Sequence, residues 1–315
     1  MADLTIFCDY PLDSAALKQL RDGVAPHTLL LPQPGAESPF AQADIVFGQP
    51  DVAGILASTR LRWAHVTSAG YTRYDTPEFR AAAAARGLRL TNSSSVYAEP
   101  CAEHVFSFML AQARQLPLAL RTRVPHSSAT WTDLRAKSLC LKGQTVAILG
   151  FGAIAARLVE LLAPLRMKIS AMRRQPRGDE PVPTFPPDQL PAILALADHV
   201  IDILPENAGS RHFVNAGYFA AMQPGAIFYN IGRGPTVDQD ALHASLKSGH
   251  LAAAWLDVTD PEPLPDGHPL LDLPNCHITP HTAGGHGHEA GSLVRHFLDN
   301  FRLFLNDAPL RDRVI

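Results

Sequence analysis

Short apolar runs recur along the chain, and between them lie stretches whose apolar residues return at helical spacing. Over the first third, LTIFCDY, HTLLLP, ADIVFGQ, LRWAHVTSAG and LRLTNSSS have the form of buried strands. SAALKQLRDG has helical spacing and a terminal glycine. EFRAAAAARG predicts an alanine-rich helix that stops at Gly87. Strands that alternate with helices predict a parallel sheet with helices on its faces.

The pattern changes at Ala98. EPCAEHVFSFMLAQARQL predicts a long helix with Pro100 in its first turn, and VPHSSATW a polar loop. LKGQTVAILGFGAIAARLVELLAPL then reads as strand, glycine turn, helix. KISAM, HVIDIL, AIFYNIG, LAAAWLDV and CHITPH read as further strands, and the proline-dense PVPTFPPDQLP as a surface loop leading into a helix. GSLVRHFLDNFRLFLND predicts an amphipathic last helix. No repeat of solenoid length is present. The fold class is therefore α/β, with two doubly wound parallel-sheet units.

Composition narrows the function classes. The 315 residues are 46% hydrophobic and 18% charged, with a net charge of -3 and no polybasic run. That is the mix of a soluble globular protein and argues against nucleic acid or an anionic membrane surface as main partner. No apolar run reaches the roughly 18 residues that span a bilayer. The N-terminal stretch reads as strand and helix rather than signal peptide. Cys8, Cys101, Cys140 and Cys276 form no CxxC, which predicts a reduced, cytoplasmic protein with buried thiols.

Chemistry enters at Gly150-Phe151-Gly152-Ala153-Ile154-Ala155, between a strand and a helix. Gly150 suits a tight turn, and Gly152 lets backbone approach a pyrophosphate. Ala155 meets the need for a small third residue. The amides at the helix start, at Ala153 and Ile154, favour phosphate. After the next strand, a fold that prefers NAD places an acid against the adenosine ribose. Here that position is Arg173, with Arg174 and Arg177 close behind. Arginine keeps its charge at neutral pH, and its planar fork suits a phosphate. The expected cofactor is NADP(H), with NAD(H) as the second option.

Downstream, three strands each run into polar residues: Asn230-Ile231-Gly232-Arg233-Gly234-Pro235, Leu256-Asp257-Val258-Thr259-Asp260-Pro261-Glu262-Pro263, and Thr279-Pro280-His281-Thr282-Ala283-Gly284. Ligands of open α/β sheets bind at such strand ends. Reduction of a 2-keto acid needs a hydride on carbon and a proton on oxygen. A histidine can supply that proton, a neighbouring carboxylate favours the imidazolium, and an arginine can clamp the substrate carboxylate.

With these motifs in this order, the chain resembles the D-isomer-specific 2-hydroxyacid dehydrogenases over nearly its whole length. The resemblance implies Arg233 as substrate clamp, Glu262 as the acid paired to the histidine, His281 as general acid/base and Asp257 as holder of the nicotinamide carboxamide. It implies that Thr67-Ser68-Ala69-Gly70 grips the substrate carboxylate through backbone amides. MetArgArgGlnProArg, 172–177, resembles the cofactor loop of the NADPH-preferring glyoxylate/hydroxypyruvate reductases. The family's organisation implies a flavodoxin-like substrate domain from residues 1–98 and 285–315. It implies a Rossmann-like dinucleotide-binding domain from 99–284, and a dimerisation arm at about 98–139 of a homodimer. The expected function is an NADP(H)-preferring 2-ketoacid reductase acting on a small acid such as glyoxylate or hydroxypyruvate.

Two other readings share the scaffold. Formate dehydrogenases pair the histidine with a glutamine, where this chain has Glu262. A nucleotide-sensing corepressor can keep all three residues and show little turnover. Tyr71-Thr72-Arg73-Tyr74-Asp75 is a bulky departure beside the carboxylate loop. His104 reads as a core or hinge histidine, Trp255 as sheet core, and Trp131 as part of the arm's loop. His286 and His288 lack a third ligand of fitting spacing, so no metal is expected.

Overall fold

The computed structural model describes residues 3–33, 35, 38–121 and 123–315. They form two compact units. One comprises the residues up to Tyr97 together with Gly285–Ile315, and the other Ala98–Gly284.

The first unit is built on β1 (Thr5–Cys8), α1 (Ser14–Val24), β2 (Thr28–Leu30), β3 (Ile45–Gly48), α2 (Val52–Ala57), β4 (Trp63–Val66), α3 (Pro77–Arg86) and β5 (Arg89–Thr91). The strands pair in parallel in the order β2-β1-β3-β4-β5, the flavodoxin-like winding. Asp13, Asp51 and Thr76 cap α1, α2 and α3 through their side chains, each satisfying an amide that lacks a helical partner. Gly87 ends α3 at φ 64°. Helix α1 runs past Gly23 to Val24 instead of stopping there.

Helix α4 (Ser94–Ala113) carries the chain from one unit to the other in sequence. It starts earlier than the sequence pattern predicts, and Pro100 lies inside it rather than in its first turn. Asn92 supplies the start, its Oδ1 accepting the Ser94 amide at 3.2 Å. The second unit continues with α5 (Leu116–Arg121), α6 (Ala129–Lys137), β6 (Thr145–Leu149), α7 (Ala153–Leu162), β7 (Lys168–Met172), β8 (Thr184–Phe185), α8 (Leu190–Leu194) and β9 (His199–Asp202). After these come α9 (Ala216–Ala221), β10 (Ile227–Asn230), α10 (Gln239–Lys247), β11 (Ala253–Leu256) and β12 (Cys276–Ile278). Part of the expected polar loop and Trp131 belong to α6, which Ser128 caps. The proline-dense loop contains the edge strand β8, because the Arg173 amide donates to the Phe185 carbonyl.

All seven strands pair in parallel, in the order β12-β11-β10-β9-β6-β7-β8. The order reverses between β6 and β9, and that switch point is where a doubly wound sheet opens a crevice at its strand ends. Strands β6, β9, β10 and β11 are nearly or fully buried, as expected with helices on both faces.

Helix α11 (Glu289–Leu305) returns to the first unit. Its Leu293, Phe297, Leu298 and Phe301 join Ile6, Leu20, Phe47 and Trp63 in one core. Phe297 stacks on Trp63 with ring centroids 5.1 Å apart and planes 9° apart. A pair of this kind adds about 0.5–1.5 kcal/mol to the burial itself. The thiols are free but not uniformly buried: Cys140 is exposed and Cys276 half-buried. Among the described residues, no helix is long and apolar enough to cross a membrane.

Candidate active site

β6 delivers the chain into the glycine turn. Gly150 has φ 96°, which a side chain would strain, and its amide donates to the Met172 carbonyl. Gly152 is the N-cap of α7 and offers no side-chain cap to the amides there. A Cβ built on Gly152 meets nothing within 4 Å, so no protein packing demands glycine. The bare approach to the start of α7 is the cradle a pyrophosphate fits. Ala155 is fully buried, consistent with close helix–strand packing.

Arg173 stands directly after β7, at the predicted position. The structure adds a partner that sequence reasoning missed. Glu180 lies 3.3 Å from the Arg173 guanidinium and accepts the amides of Arg177 and Gly178, each at 2.9 Å. The Arg177 amide, with that of Gly178 and the Arg173 side chain, holds the Glu180 carboxyl below its usual range despite the desolvation it suffers. The arginine loop is therefore shaped by its own acid. A cavity of about 390 Å³ opens along this loop between Pro176 and Thr184. None of the three strand-end candidates lines it.

The strand-end residues come from three neighbouring strands of one sheet. Arg233 follows β10, Glu262 lies in the loop after β11, and His281 follows β12. His281 Nδ1 and Glu262 Oε1 are 2.6 Å apart, a short charge-assisted bond if the ring is protonated. Both side chains keep solvent access, at 48% and 37%. The loops of Arg233 and Glu262 are locked together: a Cβ on Gly234 would collide with the Thr259 carbonyl. Gln239 reinforces the contact by bonding both the amide and the carbonyl of Asp260.

His281 has φ 53°, a left-handed conformation that costs a residue with a Cβ about 1–2 kcal/mol. Asp257 explains how it persists. Its buried carboxylate accepts the Thr279 hydroxyl at 2.6 Å and the amides of Thr282 and Ala283 at 2.9 Å, straddling His281 on both sides. The His281 amide donates to the Asp257 carbonyl. Asp257, which the resemblance implies as holder of the nicotinamide carboxamide, directs its carboxylate at this turn.

His104 is half-buried beside the turn, with Nε2 3.3 Å from the Thr279 hydroxyl and 3.6 Å from Asp257. Desolvation lowers its pKa, and Asp257 works against that. Burial, reinforced by Asp257 and opposed by Arg233, pushes the Cys101 thiol up to about 12. Cys101 is thus no thiolate nucleophile.

In the first unit, the loop Ser68-Ala69-Gly70 is held through its carbonyls. They accept from the Ser93 amide, Asn92 Nδ2 and the Ser68 hydroxyl respectively. Arg73 donates to Gln49 Oε1 at 2.6 Å and lies over the Tyr74 ring. Tyr74 itself is fully buried and bonds the Pro50 carbonyl, so it is core rather than loop surface. His286 and His288 adjoin the start of α11, where the His288 amide donates to His286 Nδ1.

A switch-point glycine turn and a charged cluster on the neighbouring strand ends define a dinucleotide-binding α/β protein. The sequence profile of the D-isomer specific 2-hydroxyacid dehydrogenase NAD binding domain matches residues 106–283. A human glyoxylate reductase/hydroxypyruvate reductase is 36% identical over 202 residues, 62% of this chain and 60% of the relative. The chain thus spans about three-fifths of that relative's length. Glyoxylate/hydroxypyruvate reductase B of Citrobacter koseri is 34% identical over 77% of this chain and 75% of its own. The crystal structure of the NADPH-dependent glyoxylate/hydroxypyruvate reductase of Sinorhizobium meliloti, in complex with NADP and malonate, superposes with a TM-score of 0.74. It shares 25% identity, covering 99% of this chain and 97% of its own. The chain belongs to the D-isomer specific 2-hydroxyacid dehydrogenase family.

Proposed function

We propose that this protein reduces small 2-keto acids to 2-hydroxy acids with a nicotinamide cofactor, preferring NADPH. The observation that carries this reading is the His281–Glu262 pair, 2.6 Å apart, at the ends of β12 and β11, the two strands that follow Arg233's β10 across the sheet. His281 delivers the proton to the carbonyl oxygen as hydride reaches carbon, and removes it in the reverse direction. Glu262 orients the ring and stabilises its charged form. Arg233 holds the substrate carboxylate. Asp257 acts by holding the His281 turn.

The turn at Gly150, Gly152, Ala153 and Ile154 takes the pyrophosphate of the cofactor, which supplies the hydride when bound. Arg173, Arg174 and Arg177 take the 2'-phosphate. Support comes from the position of Arg173 after β7 and from the glyoxylate/hydroxypyruvate reductases among the relatives. Segment 98–139 carries the exposed leucines Leu110, Leu116, Leu118, Leu120 and Leu139, which supports its reading as the arm of a homodimer.

The test is loss of the nicotinamide absorbance with glyoxylate, hydroxypyruvate and bulkier 2-keto acids, comparing NADPH with NADH at equal concentration. Turnover favouring NADPH is expected. Turnover favouring NADH would remove the arginine argument. Tight NADPH binding without turnover would favour a nucleotide sensor.

A further inference from the structure

Asp202, the last residue of β9, is fully buried in the second unit. Its Oδ1 accepts the Leu204 amide at 2.9 Å, and its Oδ2 lies 2.6 Å from the Thr236 hydroxyl. The same hydroxyl lies 2.6 Å from the Arg233 carbonyl oxygen. Oxygens this close need a hydrogen between them. The threonine hydroxyl has one hydrogen and two oxygen partners. The Arg233 carbonyl can only accept, so the second hydrogen has one source: the carboxyl of Asp202. A consistent chain runs from Asp202 O–H to Thr236 Oγ1, and from Thr236 O–H to the Arg233 carbonyl.

We propose that Asp202 is held as a neutral carboxylic acid whose proton, passed on as a hydrogen bond through Thr236, positions the turn that presents Arg233. The inference rests on the reading of Arg233 as substrate clamp; Asp202 is a positioning residue and touches no substrate. The surrounding packing supports it. Gly232, beside Arg233, lies so close to Leu204 that a Cβ there would stand 2.7 Å from the Leu204 carbonyl oxygen. The Asp202–Leu204 bond therefore fixes the surface on which the Arg233 turn sits. Asn230 Nδ2 also donates to the Arg233 carbonyl, at a longer 3.1 Å.

Burial pushes the Asp202 carboxyl up to about 7, outweighing the bonds that the Thr236 hydroxyl and the Leu204 amide would give its ionised form. The titratable groups on the elements around it are His199 at the far end of β9, Tyr229 on β10, Arg233 beyond β10 and Glu206 beyond β9. β6 carries none. His199 and Tyr229 bond each other at 3.0 Å, and the Arg233 guanidinium donates to the Gly232 carbonyl. None of the four is among the causes of the Asp202 shift. Because the folded-state value is raised above the ordinary 3.8, the folded state binds the extra proton. The stability that Asp202 contributes is complete below about 4, declines as pH rises, and is gone above about 7.

The test compares wild type with Asp202→Asn, whose amide reproduces both bonds of the protonated acid without titrating. Melting temperatures are measured from pH 4 to 9. The gap between the variant and wild type should widen in the variant's favour up to about pH 7 and then level off. Infrared difference spectra of the wild type, low pH minus high pH, should show a protonated carboxyl band that Asp202→Asn lacks. KM for glyoxylate, taken as the wild-type to variant ratio so that His281 cancels, should rise several-fold from pH 6 to 8.5. A pH-independent melting gap and no carboxyl band would overturn the proposal. With the band and widening gap present, a flat KM ratio would overturn the link to Arg233. Absence of all 2-keto acid turnover would count instead against the function proposed above, leaving the proton measurable.

Discussion

The two units are both parallel α/β sheets, yet they use their buried polar residues differently. In the first, the polar cluster is closed. His65 bonds Thr91 and Ser93, and its ring lies 5.3 Å from that of His296. His296 contacts Asp312, which accepts from the amide and hydroxyl of Ser95. Every one of these groups is engaged in fixing the returning C-terminal segment to β4, β5 and the start of α4. In the second unit, Asp257 and Asp202 are buried in the same way, but they hold turns whose outer residues, His281 and Arg233, keep solvent access. Buried polarity alone does not mark a reactive site. In the proposed site the buried acids hold turns that carry a partly exposed base and cation, whereas in the first unit the buried Asp44 pairs directly with the exposed Arg60 guanidinium.

The contrast breaks most sharply at His281. His281→Ala should lower kcat about 10²–10⁴-fold with little change in melting temperature, and Glu262→Gln should follow in the same direction. Steady-state kinetics beside thermal melts check both. In the first unit the balance should invert. Phe297→Ala removes the ring stacked on Trp63 and should cost about 3–5 kcal/mol in denaturant unfolding, with kcat of the folded fraction unchanged. Loss of kcat in step with stability would erase the distinction.

Arg173→Ala combined with Arg174→Ala should raise KM for NADPH about 10–100-fold, the equivalent of a lost charge-assisted contact, and leave KM for NADH nearly unchanged. Equal effects on both cofactors would assign the arginines to Glu180 and solvent. The smallest effect concerns acid. Burial raises the Asp312 carboxyl, but bonds from His296 and Ser95 outweigh it and hold it below its ordinary range. Its stabilisation is therefore present above about pH 4 and lost as pH falls further. Asp312→Asn should flatten the acid limb of the melting curve; an unchanged limb would remove Asp312 from that account.

The sequence made the strand–glycine–helix unit legible because the hydrophobic period and the turn chemistry are both local. It placed Arg173 after β7 for the same reason. Pro100 was harder to place, since a helix that starts at Ser94 depends on Asn92 rather than on the proline. β8 was hidden because two residues joined through one loop carry no period. Glu180 reaches Arg173 seven positions away, and Thr236 and Asp202 meet across 34 positions, besides their nearer backbone partners. Nothing in a linear reading separates them from ordinary loop or strand residues. Asp257 was read from its place in a motif, and its bonds to the turn around His281 depend on residues more than twenty positions away, which that place does not show.

The most direct measurement is single-turnover oxidation of bound NADPH by glyoxylate in wild type and His281→Ala, with NADPH affinity measured on the same samples. Equal NADPH affinity with hydride transfer slowed at least about 100-fold in the variant is the expected result. Equal rates in the two proteins would contradict the assignment of His281 as the proton donor.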